Sequence, residues 1–545
     1  MNQGLKKYSK QISLTVGNAA QTSINVNKDA ANLHIVLPLI NTVGPNPIET
    51  SLIFNLQDMK ESFSFGKGFR LNYYSKISKH SDNLNQVTNS DGSTDLYSVY
   101  MGEKNDETGM ILGFRQINPY GGYEYQLIDK YGNVSEFDGN QPYPNKIKFK
   151  NGDVITSDFI AATRYMDNGK GDVLQFTKNG NDNITLVQYL QNGRLVSSVE
   201  IQYDSNQYIS NVTYKNGNST ISSTSFKFSS SEIIVVDDLS GYRIKYTISD
   251  KKVVSFIDGY DENYTNGHKS SIDYFDSYSV LTNYKGEKTY VFFDEDHMPS
   301  FEMDENNNIV ETEYETRSKA LKSNSGTISF NSIQNLFDST DLFTFTNNGL
   351  KITKVNQSDE KFKGILGDSV YRISGTGSLT KSINYKGLAS DNTLAVLFGK
   401  QLTKSTNDSY VKVSLTAGGS DADKFNKTTI DNQFELMTLG TTSNISFENI
   451  TLKIELVGNA EIEIGGIKVA NKEFASFYAY DSEGNVSEMA DGSRTTNMTY
   501  GSDNLPTQSI GVDSTYFDYE YDDYGNLLKA KTAYGAKIEN TYDTT

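Results

Sequence analysis

The side chains of this 545-residue chain that could carry out chemistry are few and poorly grouped. Its four histidines, His34, His80, His268 and His297, are too scattered for a metal-ligand spacing, and no HExxH pattern occurs. Carboxylates cluster at Asp294-Glu295-Asp296 and Asp304-Glu305. A calcium site needs about six to eight converging oxygens, and glycoside hydrolysis needs two carboxyls facing each other across a bond; adjacency in sequence supplies neither. Both clusters fall where hairpin turns are expected, and there an aspartate caps the turn with its own side chain. The segment "DENYTNGHKSSID" misplaces its glycine for an EF-hand loop, and "FGKGF" (Phe65 to Phe69) lacks the P-loop pattern. No GxSxG elbow can be read. We therefore expect no catalytic residue, no cofactor-binding residue and no metal ligand, and a chain that is not an enzyme.

What does recur is an aromatic residue beside an acid. Tyr480-Asp481, Tyr500, Tyr521-Asp522 and Tyr542-Asp543 follow one another at steps of 20, 21 and 21 residues. Upstream, Phe293-Asp294 stands in the tyrosine-aspartate place and Tyr314 follows 21 residues on. A period of this length marks a repeat architecture rather than a catalytic motif.

The elements that position these residues can be read from "YFDYEYDDYGNLLKAKT". Side chains alternate across a strand, so Phe517, Tyr519 and Tyr521 share one face, and Asp518, Glu520 and Asp522 the other. Leu528 and Ala530 continue the apolar face after the turn; Lys529 and Lys531 continue the polar one. Consistent faces require Glu520 to oppose Lys529 and Asp518 to oppose Lys531. That register leaves Asp523 to Asn526 as a loop built around a type I turn, closed by a residue at positive φ. Gly525-Asn526 supplies it, as do Gly484-Asn485 and Gly132-Asn133; in "DENNNIV" Asn307 replaces the glycine and Asn308 keeps the second place. One hairpin cannot bury its aromatic face, whereas hairpins laid edge to edge form a long sheet that its own twist coils.

Composition agrees. Tyr (36), Phe (28) and Gly (43) are abundant, cysteine and tryptophan are absent, and the net charge is −18. Aromatic and β-branched runs between Gly, Asn, Ser and Asp read as strands joined by turns. An acidic chain with no clustered basic stripe repels phosphate backbones, so no nucleic-acid partner is expected. The N-terminus lacks an apolar h-region and nowhere do 18 apolar residues run together, so neither a Sec signal nor a membrane span is expected.

The Tyr-Asp-x-x-Gly-Asn signature at Tyr480 to Asn485 and Tyr521 to Asn526, with degenerate copies before residue 315, resembles that of the RHS or YD-repeat proteins. These include bacterial polymorphic toxins, insecticidal toxin complex B and C components, wall-associated proteins and teneurins. The resemblance covers about residues 109–315 and 474–545. It implies a β-sheet spiralling into a hollow shell that, in toxin members, encloses a C-terminal toxic domain. The aspartate-proline-glycine signature that closes the shell of toxin-carrying members has no match here, and the sequence stops inside a repeat, at "ENTYDTT". The period vanishes between about Thr316 and Asn471, where "AEIEIGGIKVAN" stands in the place of the closing strand of a jelly-roll, carbohydrate-binding-like module.

The expected fold is all-β: a spiralling antiparallel sheet of hairpins forming part of a hollow shell, with an inserted β-sandwich. The expected domains are an N-terminal β domain (1–108), a degenerate repeat sheet (109–315), the jelly-roll insert (316–473) and a truncated hairpin array (474–545). The expected function is a non-enzymatic shell segment that encloses and helps deliver a C-terminal toxin or effector absent from this chain. The alternative is an adhesin or a phage or contractile-particle tail-fibre component that binds cell-surface glycans through the insert, with Tyr371, Tyr385 and Tyr410 as candidate sugar platforms. The expected location is secreted or particle-associated, by a route without a Sec signal.

Overall fold

The computed structural model describes residues 11–16, 20–27, 31–42, 47–98, 103–116, 123–139, 141–161, 164–275, 278–294, 296–305, 309–315, 318–324, 345–356, 369–387, 392–403, 406–425, 435–471, 476–491, 494–511, 514–522 and 525–542. The protein is all-β, and its sheets are antiparallel. Among the described residues no helix is long and apolar enough to cross a membrane.

Among the described residues twenty-seven strands form one sheet in which every strand pairs with its neighbours in chain order. It starts at Ile111–Gln116, continues past residue 315 through Leu321–Asn324, resumes at Ser476–Tyr480 and ends at Lys537–Glu539. The strands on either side of the insert pair directly, Ser323 with Phe477 and Asn324 with Ser476. The wall thus passes under the insert without a break.

The wall coils until its later hairpins rest on its earlier ones. Lys104 Nζ meets Glu483 Oε2 at 3.1 Å, Asn504 Nδ2 donates to the Lys130 carbonyl at 2.7 Å, and Lys150 Nζ meets Asp503 Oδ2 at 3.1 Å. The 501–505 turn lies twenty-one strands along the ribbon from the 129–133 turn that it touches, and 481–485 lies the same distance from 104–109. One circumference therefore takes about twenty-one strands. At roughly 4.8 Å per strand the wall is about 100 Å around and about 30 Å across.

The interior of the first coil is filled. A five-stranded sheet, from Gln11–Val16 to Phe69–Leu71, shares one core with wall residues from Ile147 to Val291. Phe54, Phe65 and Phe69 pack on Phe176, Phe226 and Phe228. Tyr246 Oη meets Thr22 Oγ1 at 2.5 Å, Ser279 Oγ donates to the Val26 carbonyl at 2.5 Å, and Lys67 N donates to the Gln207 carbonyl at 3.0 Å. Each fully buried large apolar side chain contributes about 1.5–3 kcal/mol, so this plug and the wall stabilise each other. A second sheet, Ser75–Lys79, Leu84–Asn89 and Thr94–Ser98, buries Ile77, Val87 and Tyr97 against Leu112, Leu127 and Phe137. Among the described residues before 108 there are therefore two main sheets, with apolar faces spent on the wall, and one short pairing of Ser62–Phe63 with Gly66–Lys67.

Among the described residues no such sheet covers the second coil. Cross-strand partners trace the inner face from Ser279 through Val291, Glu302 and Val310. Two residues on, it runs from Thr312 through Asn324 to Ser476. The same face then carries Tyr478, Met489, Met498, Phe517, Tyr519, Ala530 and Ile538. Phe517 is 45% exposed and Ile538 64%. The opposite face carries Glu520 and Lys529, paired at 2.9 Å.

The insert is a two-sheet sandwich. One sheet takes Thr346–Asn348, Gly377–Gly387, Phe447–Val457, Tyr410–Ala417 and Ser420–Phe425 in that order; the other takes Lys351–Asn356, Ser369–Ser374, Glu461–Asn471, Asn392–Gln401 and Glu435–Thr442. Among the described residues its strands pair only with one another, and its core, which includes Ile373, Leu397, Val413, Leu452 and Ile464, is its own.

Candidate functional site

The repeat residues build a lock, and its geometry answers what the recurring tyrosine does. At the 481–485 turn, Gly484 N donates to the Asp481 carbonyl at 3.1 Å and Asp481 N to the Asn485 carbonyl at 2.9 Å. The Asp481 carboxylate accepts from Glu483 N at 2.9 Å, from Asn485 N at 2.8 Å and from Asn485 Nδ2 at 3.1 Å. Asp129 with Asn133, and Asp522 with Asn526, repeat the arrangement. The loop between Tyr516–Tyr521 and Leu527–Thr532 thus runs from Asp522 to Asn526, one residue longer than the alternation suggests. The fourth residue carries the positive φ: Gly132 at 90°, Gly484 at 78° and Gly525 at 86°. Asn485 and Asn526 bind the aspartate instead of supplying the left-handed residue. Degenerate copies keep the geometry with other side chains, with His297 at 62°, Gln207 at 70° and Asp182 at 67° in the glycine place. Asn307, Asn308 and Asp543 lie outside the described residues.

A register shift precedes the aromatic of the repeat, between Gln202 and Tyr203, Glu313 and Tyr314, Ala479 and Tyr480, Thr499 and Tyr500, and Glu520 and Tyr521. In each case the extra residue lies on the strand that follows the turn, a bulge that bends the end of the hairpin. Opposite Tyr521 the following strand carries one extra residue, Leu528: Tyr519 pairs with Ala530 and Glu520 with Lys529, whereas Tyr521 pairs with Leu527. The tyrosine hydroxyl donates to a carbonyl just past the previous turn. Tyr500 Oη reaches Val486 O at 2.9 Å, Tyr542 Oη Leu527 O at 2.9 Å, Tyr203 Oη Ile184 O at 2.6 Å and Tyr480 Oη Leu321 O at 2.5 Å. Burial pushes the Tyr203 and Tyr500 phenols up, which keeps them neutral donors.

Where the two coils meet, a cleft of about 860 Å³ lies between Lys104, Glu107, Tyr131, Glu315, Tyr480 and Asn504. It holds no metal-binding set: among the described residues no group of three or more His, Asp or Glu could hold an ion. In the first acid cluster Asp294 serves a turn, since its Oδ1 accepts from Asp296 N and Met298 N, both at 2.9 Å. Glu295 lies outside the described residues.

Of the candidate sugar platforms, Tyr371 is buried in the sandwich core, so its ring is unavailable to a sugar. Tyr410 is half-buried at the start of its strand; Tyr385 lies in the strand Gly377–Gly387, and its side chain is outside the described residues. Sequence reasoning missed the buried His34, whose Nε2 donates to the Asp91 carbonyl at 2.9 Å, and the exposed ring cluster around Asp258. Neither has a periodic signal.

No family profile and no curated protein matches this chain. The repeat resemblance thus has no counterpart in these comparisons. Solved structures similar to parts of the chain are carbohydrate-binding modules and glycan-active β-proteins. TmCBM61 in complex with β-1,4-galactotriose is 10% identical over 25% of this chain and 92% of that one, with a TM-score of 0.19. An exo-β-1,3-galactanase from Phanerochaete chrysosporium is 10% identical over 66% of this chain and 95% of that one, at 0.21. The enzymatically active domain of tailspike protein 4 of bacteriophage CBA120 is 11% identical at 0.20; the match covers 24% of this chain and 20% of the tailspike chain. Likenesses this low carry no argument about activity.

Proposed function

We propose that the protein is a non-enzymatic binding scaffold, an adhesin or tail-fibre-like component, in which the coiled wall is the rigid body and the inserted sandwich recognises cell-surface glycans. The observation that carries this reading is the manner of insertion. The strands ending at Asn324 and starting at Ser476 pair with each other, so the wall needs nothing from the sandwich between them. A self-contained domain on a finished scaffold has its surfaces free for a partner. Its outward rows, Thr380, Lys453 and Ser414, and Ser382, Thr451 and Thr416, present hydrogen-bonding side chains suited to sugar hydroxyls. The isolated 316–473 segment, screened on a glycan array, should bind a reproducible set of oligosaccharides without cleaving them. An array on which no sugar is bound overturns the reading.

A second reading is favoured by the inner face of the second coil, which offers Met489, Phe517 and Ile538 to whatever occupies the interior. On it the wall encloses a C-terminal toxin or effector polypeptide. A passenger fused after residue 545 should then resist protease; digestion at the rate of the free passenger overturns it.

A further inference from the structure

Strands of an antiparallel wall alternate in direction, so alternate turns fall on one rim. The rim that carries the turns 129–133 and 149–153 also carries Tyr242, the loop from Tyr260 to His268, and the 283–287 turn. At 129–133 and 149–153 the second coil covers it; at Tyr260 and Tyr284 it is open. There Tyr260 is 70% exposed and Tyr284 55%. Both are large apolar rings left in water on hairpins held rigid by the wall.

The two rings flank one polar centre. Tyr260 packs on Tyr242, with ring centres 5.2 Å apart, and Tyr242 Oη donates to Asp258 Oδ2 at 3.1 Å. The other oxygen of that carboxylate, Oδ1, accepts from His268 N at 2.8 Å and lies 3.3 Å from His268 Nδ1. The His268 ring in turn lies 4.3 Å from the Tyr284 ring. Asp258 thus ties both aromatic pairs into one fixed constellation. Nearby charge is mixed: Lys285 lies 5.7 Å over Tyr284, and Arg243 and Glu262 approach within 4.0 Å of each other.

We propose that this rim patch is a saccharide-binding site, with Tyr260 and Tyr284 as ring platforms and the Asp258–His268 pair as the hydrogen-bonding group between them. An exposed aromatic face packs against the C–H face of a pyranose, while a carboxylate and an imidazole can satisfy hydroxyls that face packing cannot. The balanced charge suits a neutral oligosaccharide better than a phosphorylated or cationic ligand. The chain also leaves for the sandwich from this same rim, after Asn324, so both surfaces face one way. The inference rests on the glycan-recognition reading but locates a separate site on the wall.

The test is electrophoresis of the full chain through native gels containing galactan, xylan or mixed-linkage β-glucan, with Y260A/Y284A, Y260F/Y284F and the isolated 316–473 segment run alongside. We expect the chain to be retarded, Y260A/Y284A to bind about tenfold or more weakly, and Y260F/Y284F to stay within about twofold, because the ring and not the hydroxyl forms the platform. Thermal melting of Y260A/Y284A should match the native chain, since both side chains are exposed. If Y260A/Y284A and the segment are retarded as strongly as the native chain, the rim site is overturned and recognition by the insert stands. If the segment runs free while the native chain, but not Y260A/Y284A, is retarded, the rim site stands and recognition by the insert falls. If nothing is retarded in any gel, both fall.

Discussion

At the scale of single residues, the tyrosine hydroxyls and one histidine make distinct demands. Tyr500→Phe removes the bond to the Val486 carbonyl and a weak contact of the hydroxyl with Met498 Sδ, and the carbonyl it leaves is half-buried. The expected loss is about 1 kcal/mol, read as a lower urea midpoint at unchanged slope. His34 is buried with Nε2–H committed to Asp91 and with Nδ1 unpartnered, and burial holds its pKa below the ordinary value. The folded protein therefore favours the neutral ring, while the unfolded chain takes up a proton near pH 6.5. This contribution is fully present above that pH and is lost as pH falls below it. Urea midpoints should decline from pH 7.5 to 5.5 in the native chain, and His34→Gln should flatten that decline. On the alkaline side, burial pushes the Tyr73 and Tyr97 phenols up to about 12. Their stabilisation is complete below about pH 10 and is lost as pH rises through 12; with no tryptophan in the chain, ultraviolet absorbance should show buried phenols ionising after exposed ones, and Tyr73→Phe and Tyr97→Phe should each remove part of that late step.

At the scale of elements, the turn is the unit that repeats. A Cβ on Gly484 would meet nothing within 4 Å, so Gly484→Ala tests φ alone. The left-handed conformation should cost about 1–2 kcal/mol for alanine and less for asparagine. Asp481→Ala removes three hydrogen bonds from one loop and should cost more than Gly484→Asn, measured by chemical denaturation. The hairpin of Tyr516–Tyr521 and Leu527–Thr532 was legible in the sequence down to its pairs, Asp518 with Lys531 and Glu520 with Lys529, because alternation and charge point to one register. The bulge opposite Tyr521, with Leu528 as its extra residue, was not, because one extra residue at a strand end leaves the local pattern of apolar and polar residues unchanged.

At the scale of the whole molecule, the two coils differ in what covers them. Strands such as Ile184–Gln191 and Arg194–Tyr203 lie under the plug and should show the slowest amide hydrogen exchange. The strands Tyr516–Tyr521 and Leu527–Thr532, with Phe517 exposed, should exchange through local opening at a lower free energy. Equal protection in both coils would mean that the plug adds nothing to the wall. The seam ion pairs are partly exposed and add little individually; with side-chain exposures of 31% and 34%, Lys150 and Asp503 are screened by solvent and salt.

Local chemistry determined the strands, the turns, the register of single hairpins and the site of the insert, because alternation, turn residues and a fixed period all act between near neighbours. Only the tertiary structure decided that about twenty-one strands close a circumference, that Lys150 finds Asp503, that the N-terminal sheet fills the first coil, and that Tyr260 and Tyr284 flank Asp258. Those outcomes depend on small twists summed over many strands and on contacts hundreds of residues apart, which no short stretch of the chain encodes alone.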